Sequence, residues 1–417
     1  MSQLTNTEQL NEFVLKTVRE TPVFDIHTHL YSPPFGDLLL WGVDELITYH
    51  YLVAEFFRYS EMTVEQFHAL DKKQRAEAIW QELFIEHSPI SESNRGVLTA
   101  LHSLGLDVGS RDLKSMRSYF SGQNVEKYID KVFEVAGIEA VVMTNDPFDD
   151  SERPVWLENR QGTDKRFKAA LRIDPLLMDW ENTAGRLKGW GYNTGVQLSE
   201  KTLAEVRRFL SDWVERMNPL YMAVSLPPTF RYPEDSKRAR IIENCIIPVT
   251  REKKIPFAMM IGVKKLVNPA LGLAGDSVGR SDVAAVEALA RRFPDNKFLV
   301  TFLSRENQHE ACITTRKFRN VMLFGCWWFM NNPSIIREIT SERFELLGTS
   351  FVPQHSDARV LDQLIYKWEH SRGLIGEILA EKYEDIRKTG WQVTREDVVR
   401  DVRNLFGDNF KRFVGLA

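Results

Sequence analysis

Two histidines one residue apart offer the first chemistry in the sequence. His27 and His29 close an apolar run that begins at Pro22. Side chains alternate across a β-strand, so on a strand the two imidazoles share one face. Neutral imidazoles are common ligands of Zn²⁺ and related metals, but two do not complete a site. The spacing therefore predicts half of a metal centre, with ordinary buried or exposed histidines as the alternative.

A carboxylate near the other end of the chain can supply a third ligand. Asp357 follows the last apolar run, in the segment PQHSDAR over residues 353–359. In a closed barrel the first and last strands are neighbours, so Asp357 can approach His27 and His29. Two imidazoles and one carboxylate leave positions open for water or substrate, as in catalytic metal sites. The alternative for Asp357 is the N-cap of a helix starting near Val360.

Arginines follow three of the predicted strands, at Arg172, Arg305 and Arg359. A guanidinium pairs bidentately with carboxylates and phosphates, so several near one metal favour an anionic ligand. For each of them taken alone, an ion pair with a neighbouring acid is the alternative.

Other titratable and aromatic groups are candidates for proton transfer or for contact with a ligand. His50 and Tyr51, in a predicted loop Asp44–Glu55, can act as an acid or base and as a donor to a substrate oxygen, or can serve as core and capping residues. Trp327 and Trp328 are expected to form an apolar wall or to stack on a sugar. His309 is expected on a helix away from the site.

The elements that must position these residues alternate between strands and helices. Eight apolar runs predict strands: Pro22–His27, Ile138–Thr144, Phe167–Ile173, Leu220–Ser225, Pro256–Ile261, Lys297–Leu303, Val321–Cys326 and Leu347–His355. Helical spacing follows most of them, as in Thr202–Met217. Parallel strands joined by right-handed helical crossovers close into a (β/α)₈ barrel when there are eight such units.

The first connection of this barrel is too long for an ordinary loop. More than 100 residues separate His29 from Ile138, and most have helical patterning. We expect one barrel over residues 1–417, with residues 36–136 as a helical insertion beside the active-site loops. Helices are also predicted over Met1–Glu20, Val360–Tyr383 and Arg395–Phe413.

The composition of the chain excludes several classes of protein. The 417 residues carry 54 Lys+Arg against 58 Asp+Glu, a net charge of −4, which excludes a polybasic nucleic-acid binder. No apolar run reaches the length of about 20 residues that spans a bilayer. Three scattered cysteines suit a reducing compartment and do not form a disulfide framework. We expect a cytoplasmic protein without nucleic-acid or membrane partners that forms a homo-oligomer.

With these residues assembled, the chain resembles the uronate isomerase (glucuronate isomerase) family of the amidohydrolase superfamily. Three segments carry the resemblance: FDIHTHL at residues 24–30, FGCWWF at residues 324–329 and SDAR at residues 356–359. The segments at residues 40–51 and 354–359 are similar to a shorter, divergent bacterial branch. The resemblance covers essentially the whole chain.

The resemblance implies both an activity and a set of site residues. It implies one divalent metal ion, zinc being expected over manganese, cobalt or iron, on His27, His29 and Asp357. It also implies reversible isomerisation of D-glucuronate to D-fructuronate and of D-galacturonate to D-tagaturonate, by proton transfer between C2 and C1 through a cis-enediol. The candidates for proton transfer and oxygen polarisation are His50, Tyr51, Asp357 and Arg359, and those for holding the substrate are Arg172, Arg359, Trp327, Arg305 and Arg412.

Two other functions stay open at this point. One is a mononuclear metal-dependent hydrolase or lyase acting on an anionic sugar or carboxylate, with metal-bound water as nucleophile. The other is a barrel without catalytic activity that binds uronates or a protein partner. The fifth and sixth predicted strands end without histidines, at Ile261 and Leu303, which disfavours a binuclear hydrolytic site.

Overall fold

A curled parallel sheet forms the centre of the molecule. The computed structural model describes Leu4 and residues 6–416. Within them, seven parallel strands pair in chain order. These strands are β1 (Val23–Thr28), β2 (Ile138–Asn145), β3 (Phe167–Arg172), β4 (Met222–Leu226), β5 (Phe257–Ile261), β8 (Phe298–Phe302) and β9 (Val321–Leu323); an antiparallel ribbon of β6 (Val263–Lys264) and β7 (Ser277–Val278) follows β5.

Helices cover the outside of this sheet. Their bounds are α1 (Thr7–Glu20), α2 (Val43–Ile47), α3 (His50–Phe56), α4 (Val64–Ala69), α5 (Lys72–Trp80), α6 (Glu92–Ser103), α7 (Leu113–Ser121), α8 (Val125–Ala136), α9 (Glu152–Leu157), α10 (Asp174–Met178), α11 (Trp180–Gly189), α12 (Glu200–Met217), α13 (Lys237–Ile241), α14 (Ile247–Lys253), α15 (Ala284–Arg292), α16 (Gln308–Thr315), α17 (Pro333–Leu347), α18 (Gln363–Lys388), α19 (Arg395–Arg403) and α20 (Asn409–Val414). Residues 1–3 and 5 of the helix predicted over Met1–Glu20 lie outside the described residues.

The strands are buried on both faces, which explains their continuous apolar sequences. In β5 all five residues are buried. Ala258 and Met260 belong to the cluster inside the barrel, while Phe257, Met259 and Ile261 belong to the larger cluster between sheet and helices. Alternation along the strand therefore separates an inner layer from an outer one.

The predicted eighth strand is not a regular β-strand in the structure. Leu347 ends α17, and the only strand-like pairing in the predicted run Leu347–His355 is an isolated bridge between Val352 and Phe324. Pro353 has no N–H to donate to a ladder, and the residues after it are buried polar groups, so regular pairing stops there. The segment from Val352 to Ala358 is called the closing segment below.

The closing segment nevertheless completes the ring. On one side the Val352 N–H donates to Leu323 O at 3.1 Å; on the other, the Asp357 N–H donates to His27 O at 3.1 Å and the His29 N–H donates to Ala358 O at 2.7 Å. These bonds join β9 to β1 through the closing segment. The fold is a (β/α)₈ barrel of the amidohydrolase type whose eighth strand is irregular.

The connection from β1 to β2 consists largely of helices, α2 to α8, and two of them, α6 and α8, pack against α18. The helical patterning predicted for this connection is confirmed over residues 43–56, where α2 and α3 occupy most of the stretch Asp44–Glu55 that was interpreted as a loop, and His50 is the first residue of α3. The apolar spacing of Leu46, Ile47 and Leu52, which are all buried, favours helix there. The division that treats residues 36–136 as an insertion stays a prediction.

The C-terminal helices close the end of the barrel opposite the strand termini that carry the histidines. The Phe410 ring of α20 lies 5.7 Å from Phe24, near the start of β1, and 6.1 Å from Tyr221. No helix among the described residues is both long and apolar enough to cross a membrane.

Asp25 anchors the closing segment to the barrel. It is fully buried, and its carboxylate accepts hydrogen bonds from Ser356 N at 3.1 Å and from Trp368 Nε1 at 2.8 Å. Ser356 lies 331 residues from Asp25 in the sequence. Burial raises the pKa of Asp25 to about 6, and the hydrogen bonds from Ser356 and Trp368 limit that rise. One carboxylate thus ties β1, the closing segment and α18 together.

We predict that Asp25→Ala lowers the free energy of unfolding by about 2–4 kcal/mol, because two buried donors lose their acceptor. Urea unfolding followed by tryptophan fluorescence measures the change. Asp37→Ala, at an exposed position, is the control. Equal unfolding curves for the two variants would contradict this role of Asp25.

Candidate metal centre and active site

Barrel closure brings the three predicted metal ligands together. His27 Nε2 lies 3.6 Å from Asp357 Oδ1, and His29 Nε2 lies 3.4 Å from the same oxygen. One ligand atom from each residue falls within 4.8 Å of the others, and no other such cluster of histidine, cysteine or acidic groups occurs in the described part of the chain. Asp357 adopts φ of +52°, a left-handed conformation that aspartate tolerates better than most residues.

Tyr221 determines which nitrogen of His27 is free. The Tyr221 hydroxyl donates its hydrogen to Ile26 O at 2.7 Å, so toward His27 it acts as an acceptor. His27 Nδ1 lies 3.1 Å from this hydroxyl and therefore carries the proton. The lone pair of Nε2 is then free on the side of Asp357. A hydrogen bond of this kind orients metal-binding histidines in proteins.

Burial keeps both imidazoles in the neutral, ligating form. It lowers the pKa of His27 to about 3, with Asp357 opposing the shift. It also lowers the pKa of His29 well below its usual range, and Arg359 and Arg172 lower it further. The short His–Asp distances are therefore contacts between neutral rings and a carboxylate.

The donor set fits a divalent metal ion. His27 Nε2 and Asp357 Oδ1 are buried and have no hydrogen-bond partner among the described residues. Ligands about 2.0–2.1 Å from a tetrahedral metal are about 3.3 Å apart, close to the two distances to Asp357 Oδ1. A cation bound between them would be a partner for His27 Nε2 and Asp357 Oδ1, which otherwise lose hydration on burial without gaining a hydrogen bond.

A narrow cavity that is open to solvent lies above these ligands. Arg172 and Arg359 line it together with His50, Trp327 and Trp328. The wall carries three cations, Arg172, Lys265 and Arg359, which differ in their availability to a ligand. Arg172 forms two hydrogen bonds of 2.9 Å with Asp174, and Lys265 pairs with Asp276 at 2.9 Å. Arg359 makes no ion pair with any described residue.

His50 and Tyr51 occupy different positions relative to the cavity. His50 lines it, and burial lowers the pKa of His50 to about 3, so the imidazole is neutral. Tyr51 lines a neighbouring cavity behind Trp328, and its hydroxyl is buried without a hydrogen-bond partner among the described residues. Burial raises the pKa of Tyr51 well above its usual range, which keeps the hydroxyl protonated.

Two predicted substrate-binding arginines lie outside the cavity, so these predictions are wrong. Arg305 is exposed in the turn after β8 and pairs with Glu338 at 2.9 Å, because the chain turns outward before this residue. Arg412 belongs to α20 at the opposite end of the barrel, and its guanidinium donates to Asn404 and Asn409. His309 is exposed on α16, as expected.

Several residues of the site were not foreseen. Tyr221 and Asp25 act behind the ligands, Asp174 holds Arg172, and Lys265 with Asp276 forms part of the rim. Asp25 lies within the histidine segment, and the strand period puts it on the same face as His27, a signal that could have identified it. The ribbon of β6 and β7 has no comparable sequence signal.

The whole chain is similar to solved structures of known enzymes. A uronate isomerase from Bacillus halodurans is 57% identical, with 99% of this chain and 97% of that chain covered and a TM-score of 0.97. A uronate isomerase from Thermotoga maritima (14% identical, coverage 99% and 100%, TM-score 0.78) and a glucuronate isomerase from Caulobacter crescentus (13% identical, coverage 100% and 95%, TM-score 0.77) share the fold. No protein-family model and no curated protein matches the chain.

We predict that Tyr221→Phe weakens the binding of Zn²⁺ by about 10–100-fold, because His27 loses the acceptor that fixes its tautomer. Competition with a chromophoric chelator measures the affinity. Tyr383→Phe is the matched control, since that buried hydroxyl bonds Asp401 on another part of the molecule. Equal zinc affinities in the two variants would show that Tyr221 does not orient the ligand.

Proposed function

Because the chain belongs to the uronate isomerase family, we propose that it interconverts D-glucuronate with D-fructuronate and D-galacturonate with D-tagaturonate. Membership of the family makes the protein an isomerase that acts on hexuronates. The observation that supports this choice of substrate is a cluster of three potential metal ligands beneath a cavity wall in which Arg359 has no acidic partner among the described residues. A small anionic sugar fits both features.

We assign one divalent ion to His27, His29 and Asp357, and propose that it is zinc, because a ligand set of two nitrogens and one oxygen suits this metal. When bound, the ion would act as a Lewis acid that polarises a substrate oxygen. The chain's own residues must then bind the open-chain sugar, exclude water and move one proton.

Proton transfer between C2 and C1 needs a base above the plane of the enediol. Two groups in the cavity wall can accept the C2 proton, the Asp357 carboxylate and the neutral imidazole of His50. Tyr51 is protonated at neutral pH and serves as a hydrogen-bond donor to the oxygen on which negative charge develops. The same base returns the proton to C1, and the hydroxyl proton on O2 passes to O1, so that C2 becomes the carbonyl carbon and the isomerisation is complete.

The arginines and the tryptophan hold the substrate. Arg359 makes no ion pair within the described structure, so its guanidinium is available to the carboxylate or hydroxyls of the sugar. Arg172 is held rigidly by Asp174 at the end of β3 and presents its remaining donors to the cavity. Trp327 supplies an apolar wall on which a sugar face can stack.

We also propose a cytoplasmic location, because all three cysteines are buried free thiols, as is typical of a reducing compartment. The formation of a homo-oligomer stays a prediction.

The proposal predicts that the purified protein, loaded with Zn²⁺, converts D-glucuronate to D-fructuronate. Asp357→Asn should reduce kcat by at least about 100-fold and weaken metal binding, because the ligand charge is lost while the size is kept. A coupled assay for the ketose gives kcat, and metal analysis gives occupancy. Absence of ketose with every divalent metal, together with release of a hydrolysis product from a uronate conjugate, would favour the hydrolase alternative.

A second prediction concerns the substrate carboxylate. Arg172→Met should lower kcat/KM for D-glucuronate by about 10–100-fold, the scale of a hydrogen bond to a charged group. The neutral analogue D-glucuronamide, assayed in parallel, should lose much less. Arg305→Met, which removes an exposed arginine outside the cavity, is the control. Equal losses with the acid and the amide would mean that Arg172 is structural.

A further inference from the structure

Lys367 is a buried cation for which the proposed mechanism has no use. It lies in α18, and only 2% of its surface is exposed. Its ammonium makes no hydrogen bond and no ion pair with any residue that the structure describes. An ammonium that loses its hydration without gaining a partner destabilises the fold. A position that tolerates this cost is a candidate for a functional role.

The surroundings of Lys367 connect it to the active site. Its Nζ lies 5.8 Å from the centre of the Tyr51 ring and 6.0 Å from that of Tyr366, so the charge faces aromatic π-systems. Burial lowers the pKa of Lys367 to about 8, while Asp357 and Asp25 oppose the shift. At neutral pH the side chain is therefore mainly protonated.

Tyr51 is the group through which this charge can reach the reaction. Its hydroxyl is buried and lacks a hydrogen-bond partner in the described structure, like the Lys367 ammonium behind its ring. His50, whose ring lies 4.7 Å from that of Tyr51, and Trp328 line the cavity together with the metal ligands, and their Nε2 and Nε1 atoms are also unpaired in the described structure. A concentration of unpaired donors beside a metal cluster indicates groups kept for a bound ligand.

We propose that Lys367 is a positioning residue for the isomerisation, whose buried positive charge acts through the Tyr51 hydroxyl to stabilise the negative oxygen of the enediolate. This inference rests on the proposed function. The ammonium lies over the face of the phenol ring, and the hydroxyl of that ring would donate to the substrate oxygen. A fixed charge in a region of low dielectric constant polarises the O–H bond and strengthens its hydrogen bond to an anion. No bond of Lys367 or Tyr51 is made or broken.

Because the Lys367 charge is proposed to assist catalysis while it lowers stability, its removal should reduce kcat and raise the melting temperature. Lys367→Met keeps a flexible side chain of similar length and removes the ammonium. We expect kcat with D-glucuronate to fall by about 10–100-fold, less than for the loss of a direct donor, with KM changed by less than about 3-fold. We also expect the melting temperature to rise by at least about 1 °C, because an unpaired buried charge is gone.

Lys388→Met is the matched control. Lys388 lies near the end of the same helix, where its exposed ammonium pairs with Asp385. Both kcat and the melting temperature should stay at the wild-type values. A residue needed only for packing would behave differently from Lys367, since its removal lowers stability and activity together.

Chemical rescue tests whether the charge itself is responsible. A cavity of about 260 Å³, lined by Tyr51, Trp328 and Lys367 among others, gives small molecules access to this position. In Lys367→Ala, ethylammonium should restore kcat at least 5-fold in a saturable manner, and ethanol, which is similar in size but neutral, should not.

Three results would overturn the inference: an unchanged kcat in Lys367→Met, a parallel fall of kcat and melting temperature in that variant, or equal rescue by ethanol and ethylammonium. The wild-type protein separates this inference from the proposed function. A wild-type enzyme that makes no ketose overturns both, whereas normal turnover with an unaffected Lys367→Met overturns only the role of Lys367.

Discussion

The hydrogen bonds between the end of β1 and the closing segment are the constraint on which the active site depends. Asp357 N–H to His27 O, and His29 N–H to Ala358 O, fix the two ends of the barrel in one register. That register places Asp357 Oδ1 within 3.6 Å of both histidine nitrogens. A shift of one residue would turn the carboxylate to the other face of the chain. Asp25 secures the arrangement, because it binds Ser356 and Trp368 from beneath the ligands.

The active site contains buried polar atoms without hydrogen-bond partners, which lower the stability of the fold. His27 Nε2, Tyr51 Oη, Asp357 Oδ1 and Lys367 Nζ are all buried and unpaired within the described structure. Arg372 provides a contrast, because its buried guanidinium donates to the carbonyls of Val18 and Thr21. Groups left unpaired around one centre are preorganised for a metal ion and an anionic sugar, which supply the missing partners.

Sequence patterns predicted most of the fold, because the burial of apolar side chains both produces the patterns and stabilises the strands and helices. β5 and β8 are continuous apolar runs, and strands covered on both faces require them. The predicted eighth strand is irregular because Gln354, His355 and Ser356 are buried polar residues, and the N–H groups of His355 and Ser356 donate to the side chains of Gln354 and Asp25 instead of to a strand. A hydrophobicity pattern cannot distinguish such a segment from a loop. Residues 43–56 belong to the predicted helical insertion, and the stretch around His50 was interpreted as a loop within it because short helices give weak periodicity.

Sequence analysis predicted the site residues whose positions depend on barrel geometry alone. It missed the residues whose positions depend on side-chain packing. Strand alternation and ring closure were enough to associate His27, His29 and Asp357. Arg305 follows a strand as Arg172 does, yet the chain turns outward and Glu338 holds it at the surface. No sequence pattern indicates that Lys367 is buried, and only its tertiary neighbours show it. The role of Tyr221 likewise depends on the position of its hydroxyl between Ile26 and His27.

Anomalous X-ray diffraction at the zinc edge, from crystals of the protein grown with Zn²⁺, tests the central claim most directly. The account predicts a single strong peak per chain at about 2.0–2.2 Å from His27 Nε2, His29 Nε2 and one Asp357 oxygen. Two peaks in the cavity, or a peak that contacts none of these three atoms, would contradict the view that barrel closure builds one mononuclear metal centre.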